Sequence, residues 1–314
     1  MSGCGLLYDP VFLDHLTGPG HPECPDRASH AYEAIKDSGL LKQCTRIGSK
    51  ECQMVDLERA HSQAYLTKAQ KDISGGLSQL STGDTVVCKD SWSVAQKATG
   101  GILSTLDQII EGTIDRAFCL TRPPGHHATP NRGMGFCIFN HVAVAARRAQ
   151  AIHGVGKVLI ADWDVHHGNG TQDIFYEDES VYFFSTHQSP WYPGTGSREE
   201  TGTGKGLGYT KNHPLPAGSG YSEIVENAFA DDLAHRMDRF KPELVIISAG
   251  FDSRIDDPLG DFLLEDPHFA ELTKVMRTIA DQYADGRVLS VLEGGYNLQG
   301  LASACVAHLQ ALVA

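Results

Sequence analysis

The chain has no Cys-x-x-Cys pair: Cys4, Cys24, Cys44, Cys52, Cys88, Cys119, Cys137 and Cys305 are scattered through its 314 residues. A structural zinc knot needs paired cysteines and a disulfide framework belongs to small secreted chains, so reduced thiols in an intracellular protein are expected. No dense Lys/Arg run occurs and the formal net charge is −13, which argues against direct nucleic-acid binding and suits a basic peptide better. No apolar run reaches membrane-spanning length. The opening Met-Ser-Gly-Cys-Gly-Leu-Leu-Tyr-Asp-Pro also lacks the basic and apolar regions of a signal peptide. The expected location is the cytoplasm, or the nucleus if the source has one. Neither an internal repeat nor a linker interrupts the chain, so one domain over residues 1–314 is expected. The Gly-rich stretch Gly194–Gly208 lacks both the upstream Gly and the Ser/Thr after Gly204-Lys205 of a phosphate loop, and reads as a surface loop.

What is present is an alternation of β-rich and amphipathic runs. Strands are expected at Gly5–Tyr8, Arg116–Thr121, Lys157–Ala161, Ser180–Ser185, Glu243–Ser248 and Arg287–Leu292. Helices are expected near 27–38, 62–73, 92–111, 140–153, 222–240, 267–284 and 298–313. Unbroken apolar strands separated by helices predict an α/β fold with a mostly parallel sheet covered on both faces. Five of these strands run into polar or glycine-rich clusters: Arg122-Pro-Pro-Gly-His126-His127, Asp162-Trp-Asp164-Val-His166-His167, Ser185-Thr-His187, Ala249-Gly-Phe-Asp252 and Glu293-Gly-Gly-Tyr296. In an open α/β sheet ligands bind beyond the carboxyl ends of the strands, so the five clusters converge.

In an extended segment Asp162, Asp164 and His166 share one face while Trp163 and Val165 point into the packing layer. Asp164 and His166 can grip one metal, and Asp252, at the end of another buried strand, can supply a third ligand from across the crevice. Three N/O ligands with an open fourth position suit a catalytic zinc. Two carboxylate ligands weaken its Lewis acidity, so a nearby base is needed, and His126 and His127 can supply it. Taken singly, a His-His pair is more often a packing feature, an Asp after a strand is often a helix cap, and Tyr296 is equally a loop-closing phenol or an oxyanion donor. Their coincidence at five strand ends favours chemistry.

The strings Arg122-Pro-Pro-Gly-His-His-Ala128, Gly135-Phe-Cys-Ile-Phe-Asn140, Asp162-Trp-Asp-Val-His-His-Gly-Asn-Gly-Thr-Gln172, Tyr192-Pro-Gly-Thr-Gly196, Ala249-Gly-Phe-Asp252 and Glu293-Gly-Gly-Tyr296 resemble the signature set of class II histone deacetylases and their bacterial relatives. His21-Pro-Glu-Cys-Pro-Asp-Arg27 is similar to that family's first active-site loop. The resemblance implies an arginase/deacetylase-like fold and one zinc on Asp164, His166 and Asp252. His127 would act as general base and acid, His126 as its electrostatic support and Tyr296 as polariser of the acetyl carbonyl. Asp162 would orient His126, and Asn169 would stand behind His127 where class I relatives carry an acid. Phe136 and Tyr192 would wall a tunnel, with Gly135 and Leu259 beside it and Asp84 at the mouth. Arg27 would lie deeper, near where acetate leaves. Structural potassium is implied around the main chain of Asp162 and Ser185, and again near Phe175, Asp178 and Val181. The implied substrate is an acetylated lysine in a peptide or protein. Alternatives on the same fold are an acetylpolyamine or a longer acyl chain, and Leu259 after Asp257-Pro258 offers no charge to a polyamine's second ammonium. Two departures stand out: His141 replaces a small polar residue, and Cys24 a basic one.

Overall fold

The computed structural model describes residues 3–314. Eight parallel strands form one sheet in the order β2-β1-β3-β8-β7-β4-β5-β6. They are β1 Gly3–Leu7, β2 Cys44–Ile47, β3 Ile114–Cys119, β4 Val158–Asp162, β5 Val181–Gln188, β6 Thr210–Leu215, β7 Leu244–Ala249 and β8 Val288–Leu292. The helices are α1 Asp26–Asp37, α2 Met54–Leu57, α3 Gln63–Ser74, α4 Ser91–Ile110, α5 His141–His153, α6 Asn169–Phe175, α7 Ala234–Phe240, α8 Asp266–Tyr283 and α9 Leu298–Val313. None of the described helices is long and apolar enough to cross a membrane.

The central strands are buried along their whole length, which is why their sequences lack alternation. Successive side chains still enter opposite cores. Val158 and Ile160 pack with α4 and α5, while Leu159 and Ala161 pack with α8 and α9. Each layer hides an amphipathic helix face against the sheet.

All six expected strands are present, and the two missed ones, β2 and β6, are the sheet's edges. β2 buries only Ile47, and β6 carries Lys211, Asn212, His213 and Pro214. Edge strands need no apolar run and tolerate proline, so hydrophobic patterning passes over them. The expected helix 222–240 differs too: Ser222–Leu233 is wound as a π-helix that runs into α7. The strands that carry the five polar clusters, β3, β8, β7, β4 and β5, are consecutive neighbours in the sheet. Clusters far apart in sequence therefore meet along one edge.

Candidate active site

Beyond the end of β4 the alternation persists without strand pairing. Trp163 and Val165 continue the apolar row of Leu159 and Ala161, and Asp162, Asp164 and His166 turn the other way. Asp164 Oδ1 lies 3.0 Å from His166 Nδ1, and Asp252 Oδ2 lies 3.1 Å from the same nitrogen. One ligand atom from each of the three residues falls within 4.8 Å of the others. Backbone donors aim both carboxylates: Gly294 N–H donates to Asp164 Oδ2 (2.8 Å) and Val165 N–H to Asp252 Oδ1 (2.9 Å). Asp252 thus bonds to the loop after β4 and caps no helix of its own. A Cβ on Gly294 would stand 2.0 Å from Asp252 Oδ2, so glycine there makes room for the carboxylate.

Both aspartates are fully buried and no Lys or Arg side chain hydrogen-bonds to either among the described residues. Burial pushes Asp252 up to about 7, with the neighbouring Asp164 charge adding to it. Asp164 is driven well down against its burial by His126 and His166. Burial opposes a charge on His166, yet its hydrogen bonds to the two aspartates raise it to about 10. A pocket that draws a proton onto an imidazole this strongly is short of positive charge, and its hard N and O donors suit a divalent cation.

The paired histidines have opposite surroundings. His126 Nδ1 meets Asp162 Oδ2 at 2.9 Å; burial disfavours its charge, but Asp162 and Asp164 hold it up to about 10. His127 donates Nδ1–H to Asn169 Oδ1 (2.8 Å), which leaves Nε2 to the cavity. Burial first, and then the cationic neighbours His126 and His166, push His127 well below the usual imidazole range.

The turn bearing these histidines is pinned from two sides. Glu293 at the end of β8 accepts from Gly125 N–H (2.6 Å) and His126 N–H (3.0 Å), and burial raises it to about 7. His141 donates Nε2–H to the Pro123 carbonyl (3.0 Å) and meets Thr99 Oγ1 at 2.9 Å. Fully buried, it is pushed down to about 4 and is neutral. His141 is therefore a brace for the Arg-Pro-Pro-Gly turn. The first loop supplies another support missed in the sequence. Glu23, fully buried, accepts from Arg122 Nε (2.6 Å) and Nη2 (2.7 Å) and from Arg27 Nη1 (3.0 Å). Arg27 also donates to the Gly295 carbonyl and sits 4.8 Å over the Tyr296 ring.

A cavity of about 250 Å³ opens onto this floor, lined by Asp84, His127, Gly135, Phe136, His166, Trp191, Tyr192, Leu259 and Tyr296. All five expected mouth and wall residues are among them; Trp191 was not anticipated. Phe136 takes a positive φ of 67°, and its ring meets Tyr296 edge-on at 5.9 Å. A Cβ on Gly135 would come within 2.3 Å of the His127 ring, so only glycine fits against that imidazole. Asp84 accepts from Gly135 N–H (2.7 Å) and from the Tyr192 hydroxyl (3.0 Å). Burial drives the Tyr296 phenol well above its ordinary range, so it stays protonated and can donate. Its backbone N–H is held by Asp257 Oδ2 (2.7 Å), while Asp257 Oδ1 accepts from Leu259 N–H (2.9 Å). Asp257 gave no signal beyond its place in Asp257-Pro258.

Of the remaining expectations, Ser185 Oγ meets His187 Nδ1 at 3.0 Å, and Asp178 is engaged by Ser180 and Arg147. A larger cavity of about 420 Å³, between Lys157, Tyr209 and Arg236, lies by the starts of β4 and β6 and contains none of the expected residues.

Fold and site together define an α/β protein with a buried carboxylate–imidazole cage at the carboxyl edge of a parallel sheet. Residues 21–312 match the histone deacetylase domain. The chain is 35% identical over 302 residues to a probable deacetylase of Archaeoglobus fulgidus, covering 94% of this chain and 82% of that protein. It is 36% identical over 313 residues to a histone deacetylase-like amidohydrolase of Pseudomonas aeruginosa, covering 93% and 81% respectively. The crystal structure of the HDA15 HD domain superposes with a TM-score of 0.93 at 34% identity, covering 99% of this chain and 88% of that one. The chain belongs to the histone deacetylase family.

Proposed function

We propose that the chain, as one catalytic domain over residues 1–314, is a zinc-dependent deacetylase of the class II type that acts in the cytoplasm. It hydrolyses the acetamide of N-acetyl-lysine in a peptide or protein to a free amine and acetate. The observation that carries this reading is the meeting of the Asp164–His166–Asp252 cage, His127 and Tyr296 at the floor of one largely apolar cavity.

A zinc ion held by Asp164, His166 and Asp252 would supply Lewis acidity towards water and the acetamide oxygen. His127 receives the attacking water's proton at Nε2, since Nδ1 donates to Asn169. It then delivers that proton to the departing amine nitrogen. Asn169 orients the ring without adding a charge that would hold the proton, which favours delivery. Tyr296 donates its O–H to the oxygen that becomes negative, an interaction strongest in the transition state. His126 and Asp162 set the local field, and Phe136 and Tyr192 flank the lysine methylenes. Potassium at the main chain of Asp162 and Ser185 belongs to the same reading.

Leu259 at the rim supports lysine over polyamine, because the side chain at 259 offers no charge to a second ammonium and Asp84, the carboxylate in the lining, already accepts from Gly135 and Tyr192. The test is a panel of acetyl-lysine peptide, longer acyl-lysine peptides and acetylspermidine on zinc-loaded protein, with a chelated control. Acetyl-lysine peptide should be turned over, with activity lost on chelation and restored by zinc. Activity that survives complete metal removal overturns the mechanism, and a strong preference for acetylspermidine overturns the substrate assignment.

A further inference from the structure

Trp191 is 40% exposed, yet it is fixed: its indole N–H donates to the Leu259 carbonyl at 2.9 Å. The segment carrying it leaves β5 at Gln188, whose side chain donates to Asp261 Oδ2 (3.0 Å) and accepts Asp261 N–H (2.8 Å). Ser189 N–H is taken by the Leu215 carbonyl at 2.8 Å. Leu259 is in turn held through its N–H by Asp257. The ring therefore has an anchored edge and a free surface at the cavity mouth.

A large aromatic left partly in water, but already ordered, loses little conformational entropy when another apolar group covers it. Rigid, partly exposed tryptophans are the kind of residue on which binding energy concentrates. Leu259 lies beside Trp191 in the cavity lining, and among the described residues Asp84 is the only carboxylate lining it. Both oxygens of Asp84 already accept hydrogen bonds, from Gly135 and Tyr192. Within the cavity lining, the Trp191 side of the mouth thus presents apolar surface from Trp191 and Leu259.

Resting on the deacetylase reading above, we propose that Trp191, together with Leu259, is a specificity-determining residue that receives an apolar side chain adjacent to the acetylated lysine. The substrate class is then an acetyl-lysine flanked by an aromatic or branched aliphatic residue. A free acetylated amine would leave the ring uncovered, and a charged flank would gain nothing from the apolar faces of Trp191 and Leu259.

The test uses zinc-loaded full-length protein and acetyl-lysine peptides that differ only at the residue before or after the lysine: Phe, Ser or Asp. Phe should exceed Ser by about tenfold in kcat/KM at one of the two positions, mainly through KM. Trp191→Ala should bring that ratio close to one, while Trp191→Phe, which keeps a ring but loses the N–H, should retain much of it. A wild-type ratio below about twofold overturns the inference. So does a Trp191→Ala variant that slows both peptides equally and keeps the ratio, because Trp191 would then be only a clasp between loops. Turnover of acetylspermidine with none of the peptides cleaved sinks this inference while leaving deacetylase chemistry in place. If nothing is hydrolysed, the underlying reading fails, and fluorescence anisotropy of the labelled peptides on the same protein still reads whether Phe binds better than Ser.

Discussion

At the floor of the cavity, imidazoles and carboxylates are held by one another and by buried N–H groups: His126 by Asp162, His127 by Asn169, Asp164 by Gly294 and Asp252 by Val165. At the rim, Trp191 and Leu259 are held through main-chain groups, and the ring is left partly in water. The first arrangement works through charge in a buried setting, where leaving one group unpaired is costly. The second works through apolar area, where effects scale with the surface covered. Floor substitutions should therefore act steeply on turnover, and rim substitutions gradually on selectivity.

The largest effect is expected from Asp252→Ala, which should remove the bound metal and reduce turnover to that of metal-free protein. Metal analysis alongside turnover checks this, and a fully metallated, active variant would break the assignment of the cage. Tyr296→Phe should lower kcat by roughly 10²-fold with metal content unchanged. Near-normal turnover would remove the phenol from the mechanism. Asp257→Ala frees the main chain at both Tyr296 and Leu259, and a small displacement of the phenol should cost about tenfold in kcat. If only KM changes, Asp257 serves the rim and not the floor. Leu259→Glu should shift the ratio of acetylspermidine to acetyl-lysine turnover upwards by about fivefold, a gain of the size that an exposed ion pair supplies. An unchanged ratio would mean that residue 259 does not read charge.

The mildest effect concerns the braces behind the floor. Burial pushes His61 and His141 down to about 4. His61 bonds to the Thr129 carbonyl and to Asn140 N–H, and His141 to Pro123, so both support the histidine-bearing turn. Their folded values lie below the unfolded value of about 6.5. The stability they contribute is complete above that pH and is lost as pH falls towards 4. Melting temperature should decline by several degrees between pH 7 and 5, and by less in His141→Asn measured against its own pH 7 value. A flat profile in the native chain would contradict neutral buried braces.

The parts of this design that were legible in the sequence share one property: their signal is local. Asp162, Asp164 and His166 sit at alternate positions of one segment, and Asp252 and Tyr296 follow apolar strands directly. Glu23 and Glu293 lie within recognisable motifs, but their roles do not show in the sequence because they depend on partners from other elements: Arg122 for Glu23, and Gly125 for Glu293. His141 was equally opaque, since its partners Thr99 and Pro123 come from α4 and a distant loop. Strands β2 and β6 escaped for the converse reason: as sheet edges they need little apolar sequence.

Asp257 binds Tyr296 and Leu259 only through their backbone N–H groups. Any non-proline side chain at 259 can therefore make the same anchor. The rim residue is interchangeable by construction, a modular position at which substrate preference can diverge while the tyrosine's anchorage is inherited intact.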